Sequence, residues 1–518
     1  MKKSVYVCLM CLAMIWLASC SSEKKYVNVL PENPGAVVSV DLKQLVQKSD
    51  LSAEDTKAVV TEIKNTLGNG LDAQGTELID KVLADPSESG LDLKQKVYLF
   101  VDDKGEKGGL LACVQDKGKL SELVGLLGKQ QPSAAIEDKG AYSQVVQEQG
   151  VLAYSDCSCL LLFSDKGKDA DLQTWASELM GGENKNSFCD SKGFESMEKI
   201  KGDISVFMSM VMLPEEYKMM AKMSMPATVD WKDLNIVAGV HFEKGRMVLD
   251  IETLINDALK KEYEKIRPIY SKETTDKFLK MFPKGSFMWV DMGLKGDKLY
   301  ETLMKEPAMA AQLGGVQTMF DLKSALSAID GETVICISNL EPLSFALMAE
   351  VENSDFMQSF ESLKPMLDMT RGQMKLVETG KNAYELQMAD GRMMGVQGNV
   401  SIYIGVKDGV FYLTNDKMCA EQKEVDNSMK NESWAGNVPG KRCFFVMNCY
   451  SLNEIMNANH QVYSSKDQLT QRMLSTMDYM TVEAKDDTHG RMELGMKDKE
   501  TNVLKQWIAL VRSLLSAN

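Results

Sequence analysis

The sequence predicts an α+β protein built from two tandem copies of one unit, each an antiparallel meander sheet with helices packed on one face. Short apolar runs separated by polar turns indicate the strands, and amphipathic stretches with helical spacing indicate the helices. Five blocks also recur in the same order, about 235 to 255 residues apart, which indicates the duplication. With 518 residues, of which 44% are hydrophobic, the chain is globular and too long for one ordinary core.

The first pair of blocks places an aspartate after a short apolar strand. VLPENPGAVVSVDLKQL and MFPKGSFMWVDMGLKGDKL both run from a proline through a turn and a strand towards a helix start. We interpret Asp41 and Asp291 as equivalent residues at the ends of these strands. Helix N-capping explains an aspartate at such a place, and we favour it over a paired acidic site formed by the two copies.

The next blocks repeat a strand, a turn, a second strand and an amphipathic stretch. Residues 97–101 and 333–337 open these blocks, so we expect them to form equivalent strands. The last blocks share the hairpin sequence Gly-Arg-Met, at residues 245–247 and 490–492, ahead of a closing helix. Antiparallel pairing follows from hairpins of this kind.

Two stretches carry clear helix signals. Ser52-x-x-Asp55 resembles a capping box ahead of an apolar helical pattern. A second helix is predicted from the apolar stripe of Phe356, Phe360, Leu363 and Leu367.

The repeats are expected to occupy residues 31–268 and 276–518. The boundary lies near Pro268, because proline interrupts a helical run at that position.

The N-terminal segment predicts a lipid anchor. Residues 1–19 have two early lysines and then an almost uninterrupted apolar run of about 15 residues, which is typical of a secretory signal peptide. The sequence Leu17-Ala18-Ser19-Cys20 resembles a bacterial lipobox, in which the cysteine thiol receives diacylglycerol and the new amino terminus receives an acyl chain such as palmitate. Cys20 is therefore the expected lipidation site, and residues 20–30 form a tether. We expect the protein in the cell envelope, in the outer membrane, with the leaflet left open.

The lipobox, YVNVLPENPGAVVSVDLKQLVQKS and SGLDLKQKVYLFVDD together resemble a family of Bacteroidota lipoproteins known only as a domain of unknown function. The resemblance covers most of the mature chain. It implies a cell-envelope lipoprotein, and it brings no activity or site residues with it.

Charge and cysteine usage exclude several partners. The net charge of −15 argues against nucleic acid and against a basic membrane-binding patch. Eight cysteines follow Cys20, and they stand in apolar strand contexts that favour free buried thiols over disulfides. No segment after residue 20 is apolar for long enough to cross a membrane as a helix.

The sequence contains no motif that points to catalysis, a metal or a cofactor. Its three histidines lack the spacing of a helical zinc site, and no nucleophile elbow or phosphate-binding loop is present. We therefore predict no catalytic residues, no metal and no cofactor, and we favour a non-catalytic module over an enzyme. The alternative is a hydrolase of envelope or dietary glycans that uses a carboxylate pair.

Methionine is the one compositional excess, with 36 residues. VFMSMVMLPEEYKMMAKMSMP concentrates several of them, and alternation at its start indicates one strand face. A packed core segment, an apolar binding groove and a copper site all fit this pattern, in that order of preference. The candidate ligand-binding residues are Met208, Met210, Met212, Met219, Met220 and Met223.

These observations predict a cell-envelope lipoprotein that acts as a binding or structural module. Its expected partners are the membrane, through the lipid anchor, and an envelope protein or an apolar ligand. A carrier that holds its ligand in the methionine-rich segment is a further alternative.

Overall fold

The computed structural model describes residues 26–51, 73–128, 135–147, 150–164, 169–181, 186–216, 218, 230–231, 234–317, 320–451 and 465–515. The chain divides into two compact units. Unit 1 comprises Met1–Glu243, Leu249–Ile255 and Asn502–Ile508, and unit 2 comprises Lys244–Val248, Asn256–Thr501 and Ala509–Asn518. No helix in the described ranges is both long and apolar enough to cross a membrane.

The strands are short and alternate with tight turns. The first half of the chain contains β1 (Ala36–Val40), β2 (Val97–Val101), β3 (Lys107–Cys113), β4 (Glu137–Asp138), β5 (Ser143–Gln147), β6 (Gly150–Tyr154), β7 (Ser158–Ser164), β8 (Ile204–Ser209), β9 (Leu234–Glu243) and β10 (Arg246–Ile255). The second half contains β11 (Met288–Lys295), β12 (Ile329–Leu340), β13 (Leu343–Val351), β14 (Met374–Gly380), β15 (Ala383–Met388), β16 (Val400–Lys407), β17 (Val410–Thr414), β18 (Cys443–Asn448), β19 (Met477–Ala484) and β20 (His489–Met496).

Helices connect these strands. They are α1 (Leu42–Ser49), α2 (Ala73–Ala84), α3 (Lys117–Gly128), α4 (Asp169–Met180), α5 (Lys192–Ile200), α6 (Asp257–Ile266), α7 (Gly296–Leu303), α8 (Pro307–Gln317), α9 (Leu322–Ser327), α10 (Lys364–Asp368), α11 (Lys417–Ala420), α12 (Ser465–Thr476) and α13 (Val503–Leu515). Short 3-10 segments include Tyr26–Val29, Phe188–Asp190, Met210–Met212, Arg267–Tyr270, Leu279–Met281, Asp355–Leu363 and Ala435–Asn437.

The sheet pairings have the same order in both halves of the chain. In the first half the neighbours run β4-β5-β6-β7-β3-β2-β1-β8-β9-β10. In the second half they run β14-β15-β16-β17-β13-β12-β11-β18-β19-β20. Each strand number is ten higher than that of the strand at the same place in the first-half order. Every pairing with a described register is antiparallel. Residues 97–101 form β2 and residues 333–337 lie in β12, which have corresponding neighbours.

One face of each sheet, here called the inner face, carries a dense core. In unit 1 the inner face includes Val37 and Phe100, which pack with Leu172 and Trp175 of α4. Alternation of side chains along a strand places these residues together and sends their neighbours to the opposite side, the outer face.

The inner face of unit 2 has a core of the same kind. Trp289, Val334 and Phe444 pack there with Leu279 and Trp434, which lie in or beside 3-10 segments.

Helices lie on both faces of the sheets, so the prediction that they pack on one face is wrong. Leu120 and Val124 of α3 pack against Val145, Tyr154 and Cys159 on the outer face of unit 1. On the outer face of unit 2, residues of the predicted stripe pack against the sheet: Phe356 and Phe360 lie in a cluster with Tyr384 and Ile404, and Leu363 and Leu367 pack against it. Both faces of each sheet are apolar, and each face therefore needs its own cover.

The proposed equivalence of Asp41 and Asp291 is wrong by two residues. Asp41 follows β1 and caps α1, where its carboxylate accepts a hydrogen bond from the Gln44 amide at 2.9 Å. Asp291 instead lies inside β11 with no exposed surface. The capping interpretation is therefore right for Asp41 and wrong for Asp291.

Hydrogen bonds at the strand ends show which residues hold matching positions in the two strand orders. The Asp41 amide donates to the carbonyl of Asp203, just before β8, and the Gly293 amide donates to the carbonyl of Arg442, just before β18. Gly293 therefore corresponds to Asp41. Two residues earlier, Asp291 corresponds to Ser39, which is also buried.

The predicted capping box at Ser52 and Asp55 and the lipidation site at Cys20 lie outside the described residues.

Candidate functional site

The outer face of unit 1 is a continuous apolar surface. Residues that are partners in neighbouring strands share a face, so the strand registers define rows across the sheet. The central row, from β6 to β9, consists of Leu152, Leu161, Leu110, Leu99, Val38, Val206 and Ala238. On β2, β1, β8 and β9 it is flanked by the rows Val101, Ala36, Met208, Ile236 and Val97, Val40, Ile204, Val240. None of these residues carries a charge.

The outer face of unit 2 repeats this arrangement with different residues. Its central row, from β17 to β20, consists of Leu413, Leu347, Ile335, Val290, Phe445, Val482 and Met492. A flanking row on β12, β11, β18, β19 and β20 consists of Ile337, Met288, Met447, Met480 and Leu494. Methionine is thus concentrated on this face.

Several side chains of these rows are substantially exposed. The exposed fraction is 41% for Leu99 and 45% for Leu161 in unit 1, and 38% for both Ile335 and Val482 in unit 2. Exposed apolar side chains that form a contiguous patch mark an interaction surface more often than isolated ones do. The outer faces are therefore candidate binding surfaces.

The dimensions of the unit 2 surface follow from strand geometry. Five neighbouring strands, from β12 to β20, span roughly 19 Å at about 4.8 Å per step, and successive rows lie roughly 7 Å apart. A surface of this size, without polar side chains in its two long rows, suits an extended apolar ligand.

A second candidate site lies on the inner face of unit 2, where Asp291 is buried. Neither of its carboxyl oxygens has a hydrogen-bond partner among the described residues. A buried carboxyl group without a donor is strongly disfavoured in its ionised form. Asp291 therefore has a physical reason to carry a proton.

The acid that acts most strongly on Asp291 is Glu332 on β12, which is 1% exposed. Burial first, and the neighbouring Glu332 carboxylate second, raise the pKa of Asp291 to about 10. Two carboxyl groups attract each other only when one of them is protonated, because the proton then forms a hydrogen bond between them. At neutral pH, Asp291 is therefore the protonated member of this pair.

Residues 272–277, here called the strap, hold Glu332 from the other side. The amide and the hydroxyl of Thr275 donate to the Glu332 carboxylate at 2.8 and 2.5 Å. Lys277 forms an ion pair with Glu350 of β13 at 2.6 Å, and Lys272 forms one with Asp330 at 3.0 Å. The strap thus binds the end of the sheet through three acidic residues.

Backbone contacts fix the strap further. The Thr274 amide donates to the Lys441 carbonyl at 2.8 Å, and the Gly440 amide donates to the Thr274 carbonyl at 2.9 Å. The strap also crosses directly over Gly293, where a Cβ atom would lie 2.2 Å from the Lys272 carbonyl oxygen. Only glycine allows this close approach.

Unit 1 has different residues at the corresponding position. Ser39 replaces Asp291, and the buried acid of this region is Asp203, whose oxygens lie 2.7 and 2.6 Å from the Lys48 ammonium group. The Phe242 amide also donates to Asp203 at 2.7 Å. Asp203 is therefore fully paired, whereas Asp291 is not.

The residues of the predicted methionine site do not share one environment. Three of them lie in three different environments, and the other three lie outside the described residues. Met208 lies on the outer face of β8, whereas Met210 is buried in the 3-10 segment that follows, and Met212 packs over the turns at Gly35 and Gly105. The predicted strand face through these three residues is wrong, because β8 ends at Ser209. Met219, Met220 and Met223 lie outside the described residues.

In the part of the chain that the structure describes, none of the eight cysteines after Cys20 forms a disulfide. Cys159, Cys336, Cys419 and Cys449 are buried, and burial raises the pKa of Cys336 and Cys419 to about 12. Such thiols are poor nucleophiles and act as small apolar side chains.

Carboxylate-dependent catalysis does not fit Asp291, whose pKa is strongly raised, and its neighbour Glu332. Asp291 and Glu332 are 0% and 1% exposed, so a glycan cannot reach them in this structure. Within the described part of the chain, no three His, Cys, Asp or Glu residues are placed to hold a metal ion.

The sequence matches the family described as "Domain of unknown function (DUF4836)" over residues 26–504. The chain belongs to this family. No curated protein matches the DUF4836 chain.

Crystal forms of TP0453 are partly similar in structure to the DUF4836 chain. Form I has 10% sequence identity and a TM-score of 0.25, and the match covers 44% of this chain and 78% of that one. Form III has 7% identity and a TM-score of 0.26, with 47% and 86% covered. TM-scores of this size do not establish a shared fold.

Sequence reasoning missed the outer faces of the DUF4836 chain, although a signal for them is present. VYLFV, CLLLF and RCFFVM are apolar at successive positions and not only at alternate ones, which indicates strands with two apolar faces. Sequence reasoning did single out Asp291 but assigned it to a helix cap.

Proposed function

We propose that the protein is a cell-envelope lipoprotein, anchored through Cys20, that binds lipid acyl chains on the outer sheet faces of its two units and catalyses no reaction. The observation that carries this proposal is the continuous apolar row on each outer face, with Leu99 and Ile335 among its exposed members. The proposal keeps the hypothesis of an apolar-ligand carrier, but it places the binding site on the sheets instead of in the methionine-rich segment.

The choice of an acyl chain follows from the chemistry of the rows. Their side chains are aliphatic, aromatic or thioether groups, which give an occupant no hydrogen-bond donors or acceptors. An acyl chain needs none, and each CH₂ group that it buries contributes about 0.8 kcal/mol. Flexible methionines such as Met288, Met447 and Met480 can adapt to chains of different length and branching.

The anchor supplies a reason for lipid to be nearby. The lipobox at residues 17–20 favours attachment of the mature protein to the outer membrane, and the body would then lie beside a source of acyl chains. The net charge of −15 disfavours attraction to anionic headgroups, so apolar contact has to dominate binding.

The same strand order in both halves of the chain supports two copies of one unit, at residues 31–268 and 276–518. Both copies keep an apolar outer face while their inner-face residues differ, as Ser39 and Asp291 illustrate. A feature that both copies keep despite this divergence supports a shared function at the outer faces.

Binding is tested with a fluorescent fatty acid titrated into the purified mature protein. Leu99→Glu in unit 1 and Ile335→Glu in unit 2 place a charge in the central rows, and we expect each to weaken binding at least tenfold. Val46→Glu on α1 and Val511→Glu on α13 are matched controls, because both side chains are exposed and belong to helices rather than to the rows. Neither control should change binding.

Three outcomes contradict the proposal. The protein does not bind the probe, the row variants bind it as well as the wild type does, or the controls lose binding to the same extent. A row variant that keeps lipid binding but loses a co-purifying protein would assign the outer face to a protein partner. If the glutamate variants do not fold, Leu99→Thr and Ile335→Thr preserve strand propensity and test the same rows.

A further inference from the structure

The outer face of unit 2 contains an apolar path that runs along two neighbouring strands, β11 and β18. Three pairs of facing residues line it: Met288 with Met447, Val290 with Phe445, and Met292 with Cys443. All six residues are partly exposed. Successive pairs lie roughly 7 Å apart, so the path is roughly 14 Å long. An extended acyl chain can lie along it.

Arg442 lies at one end of this path. It directly precedes Cys443, and the amide of Gly293, the residue after Met292, donates to its carbonyl at 3.2 Å. The Arg442 amide donates in turn to the Ala484 carbonyl at 3.2 Å. These backbone bonds hold Arg442 beside the last pair of the path.

Two arginines share one carboxylate at this end. Arg267 donates to one oxygen of Asp487 at 2.9 and 2.5 Å, and Arg442 donates to the other oxygen. Arg267 begins the 3-10 segment that contacts β11. Two guanidinium groups against one carboxylate leave a surplus positive charge, and the Arg442 side chain is 25% exposed.

The other nearby acids do not cancel this surplus at Arg442. Glu264 and Asp486 act on Arg267 through their charge, but more weakly than Asp487 does. Asp486 is itself paired with His489 at 2.9 Å. Among the residues that the structure describes, Asp487 is the one acid that forms an ion pair with Arg442.

A hydroxyl group without a partner lies at the same end of the outer face. Thr333 on β12 faces Met292, is 6% exposed, and has no hydrogen-bond partner for its hydroxyl among the described residues. Unit 1 has Val97 at the matching position, facing Val40. A buried hydroxyl without a partner is costly, and an acceptor oxygen at this end of the path would satisfy it.

The arginine is specific to unit 2. Asp203 precedes β8 in unit 1 as Arg442 precedes β18, because the amides of Asp41 and Gly293 donate to their respective carbonyls. Asp203 is buried and neutralised by Lys48. The corresponding end of the unit 1 sheet thus carries an acid in place of the arginine.

We propose that the outer face of unit 2 binds a fatty acid, with the acyl chain along β11 and β18 and the carboxylate against Arg442. This inference rests on the proposed lipid binding and adds the ligand class and its orientation. A guanidinium group presents paired N–H donors that match a carboxylate, and Arg442 already binds the carboxylate of Asp487.

The net charge of −15 does not oppose this contact. Distant charges are screened over about 8 Å at physiological ionic strength, whereas the carboxylate would touch Arg442 directly. The acyl chain supplies most of the affinity, and Arg442 supplies the preference for a charged end.

Calorimetric titration with laurate and with dodecanol tests the orientation, because the two ligands share a chain and differ in charge. The mature protein carries Leu99→Glu, which weakens the outer face of unit 1. We expect laurate to bind at least tenfold more tightly than dodecanol. Added salt should weaken laurate binding and leave dodecanol binding unchanged.

Substitutions at the arginine cluster sharpen the test. Arg442→Gln should remove the preference for laurate and keep the affinity for dodecanol, because Arg267 still pairs with Asp487. Asp487→Asn should raise the affinity for laurate at least threefold, since it removes the competing carboxylate. Arg392→Gln is the matched control, because Arg392 pairs with Asp390 on an exposed loop and should change neither ligand.

The outcomes separate this inference from the proposed function. If neither ligand binds, both fail. If both ligands bind equally well, or if Arg442→Gln weakens both alike, the carboxylate site is wrong and lipid binding stands. A fall in laurate affinity in Asp487→Asn also overturns the site. If lysophosphatidylglycerol binds as tightly as laurate with the same dependence on Arg442, the carboxylate assignment is wrong. If Arg442→Gln does not fold, the salt dependence of the two ligands decides.

Discussion

Lys48 neutralises Asp203: its ammonium group lies 2.7 and 2.6 Å from the two carboxyl oxygens, and the Asp203 side chain is 2% exposed. This pair joins α1 to the start of β8 and thereby connects the first helix of unit 1 to the centre of its sheet. Among the residues that the structure describes, Asp291 of unit 2 has no such partner for either carboxyl oxygen. The contrast between these two buried acids leads to opposite expectations for the same kind of substitution.

Asp203→Asn should destabilise the protein. The amide keeps one acceptor for the Phe242 amide but leaves the partly buried Lys48 without its counter-charge. We expect a loss of about 1–3 kcal/mol in the free energy of unfolding, measured by urea denaturation at pH 7. An unchanged urea midpoint would mean that the pair contributes nothing.

Asp291→Asn should stabilise the protein, and increasingly so as the pH rises. The folded-state pKa of about 10 lies above the ordinary value of 3.8, so the folded state holds a proton that the unfolded state has released. Stability is therefore at its full value below about pH 4 and falls by up to about 1.4 kcal/mol per pH unit until the folded-state pKa is reached. Removing the carboxyl group removes this decline.

The measurement is a series of urea unfolding curves from pH 4 to pH 9 for the wild type and Asp291→Asn. The difference in stability should be smallest at pH 4 and grow with pH. A constant difference across this range would show that the side chain does not titrate as inferred.

Gly293→Ala should destabilise unit 2. The added Cβ would lie 2.2 Å from the Lys272 carbonyl oxygen, and backbone cannot move aside as a flexible side chain can. We expect a loss of about 1–3 kcal/mol from overpacking. Gly314→Ala is the control, since it lies within α8 with no atom within 4 Å of the added Cβ and should gain up to about 1 kcal/mol. Thermal unfolding of the two variants should shift in opposite directions.

Tyr479→Phe should weaken the inner face of unit 2 at another buried acid. The Tyr479 hydroxyl donates to Glu493 at 2.6 Å, and Arg246 pairs with the other oxygen at 3.0 Å. Loss of the hydroxyl leaves one oxygen of Glu493, which is 4% exposed, without that donor. We expect a cost of about 1–3 kcal/mol in chemical denaturation, whereas Tyr450→Phe, at an exposed tyrosine, should change little.

Cys20→Ser tests the lipid anchor. The variant should leave the membrane fraction and no longer incorporate a fatty-acid probe, because serine offers no thiol for diacylglycerol. A variant that still fractionates with the envelope and still incorporates the probe would contradict the lipobox interpretation.

The presence of strands and their positions along the chain could be predicted from the local sequence pattern alone. Residues 97–101 and 333–337 form strands because runs such as VYLFV and TVICI favour extended backbone and are bounded by turns. The apolar stripe from Phe356 to Leu367 could be predicted for the same kind of reason, because side chains at helical spacing share a face whatever surrounds them. These features depend on neighbours in sequence.

The role of Asp291 could not be predicted in this way. Whether an aspartate near a strand end caps a helix or lies inside the strand depends on where the pairing stops. Directly after β1, Asp41 bonds to the start of the neighbouring strand, whereas in β11 the residue that does so is Gly293, two residues beyond Asp291. A shift of two residues preserves the face but moves the side chain from the rim of the sheet into its interior.

The amino-acid sequence by itself determined the family, the alternation of strands and helices and the cap at Asp41, because each depends on residues that are adjacent or regularly spaced. Only the tertiary structure decided that both faces of each sheet are apolar, that helices lie on both, and that Asp291 meets Glu332 beneath the strap. These properties arise from registers between strands that are distant in sequence, and a register is fixed by the sum of many pairings rather than by any one segment.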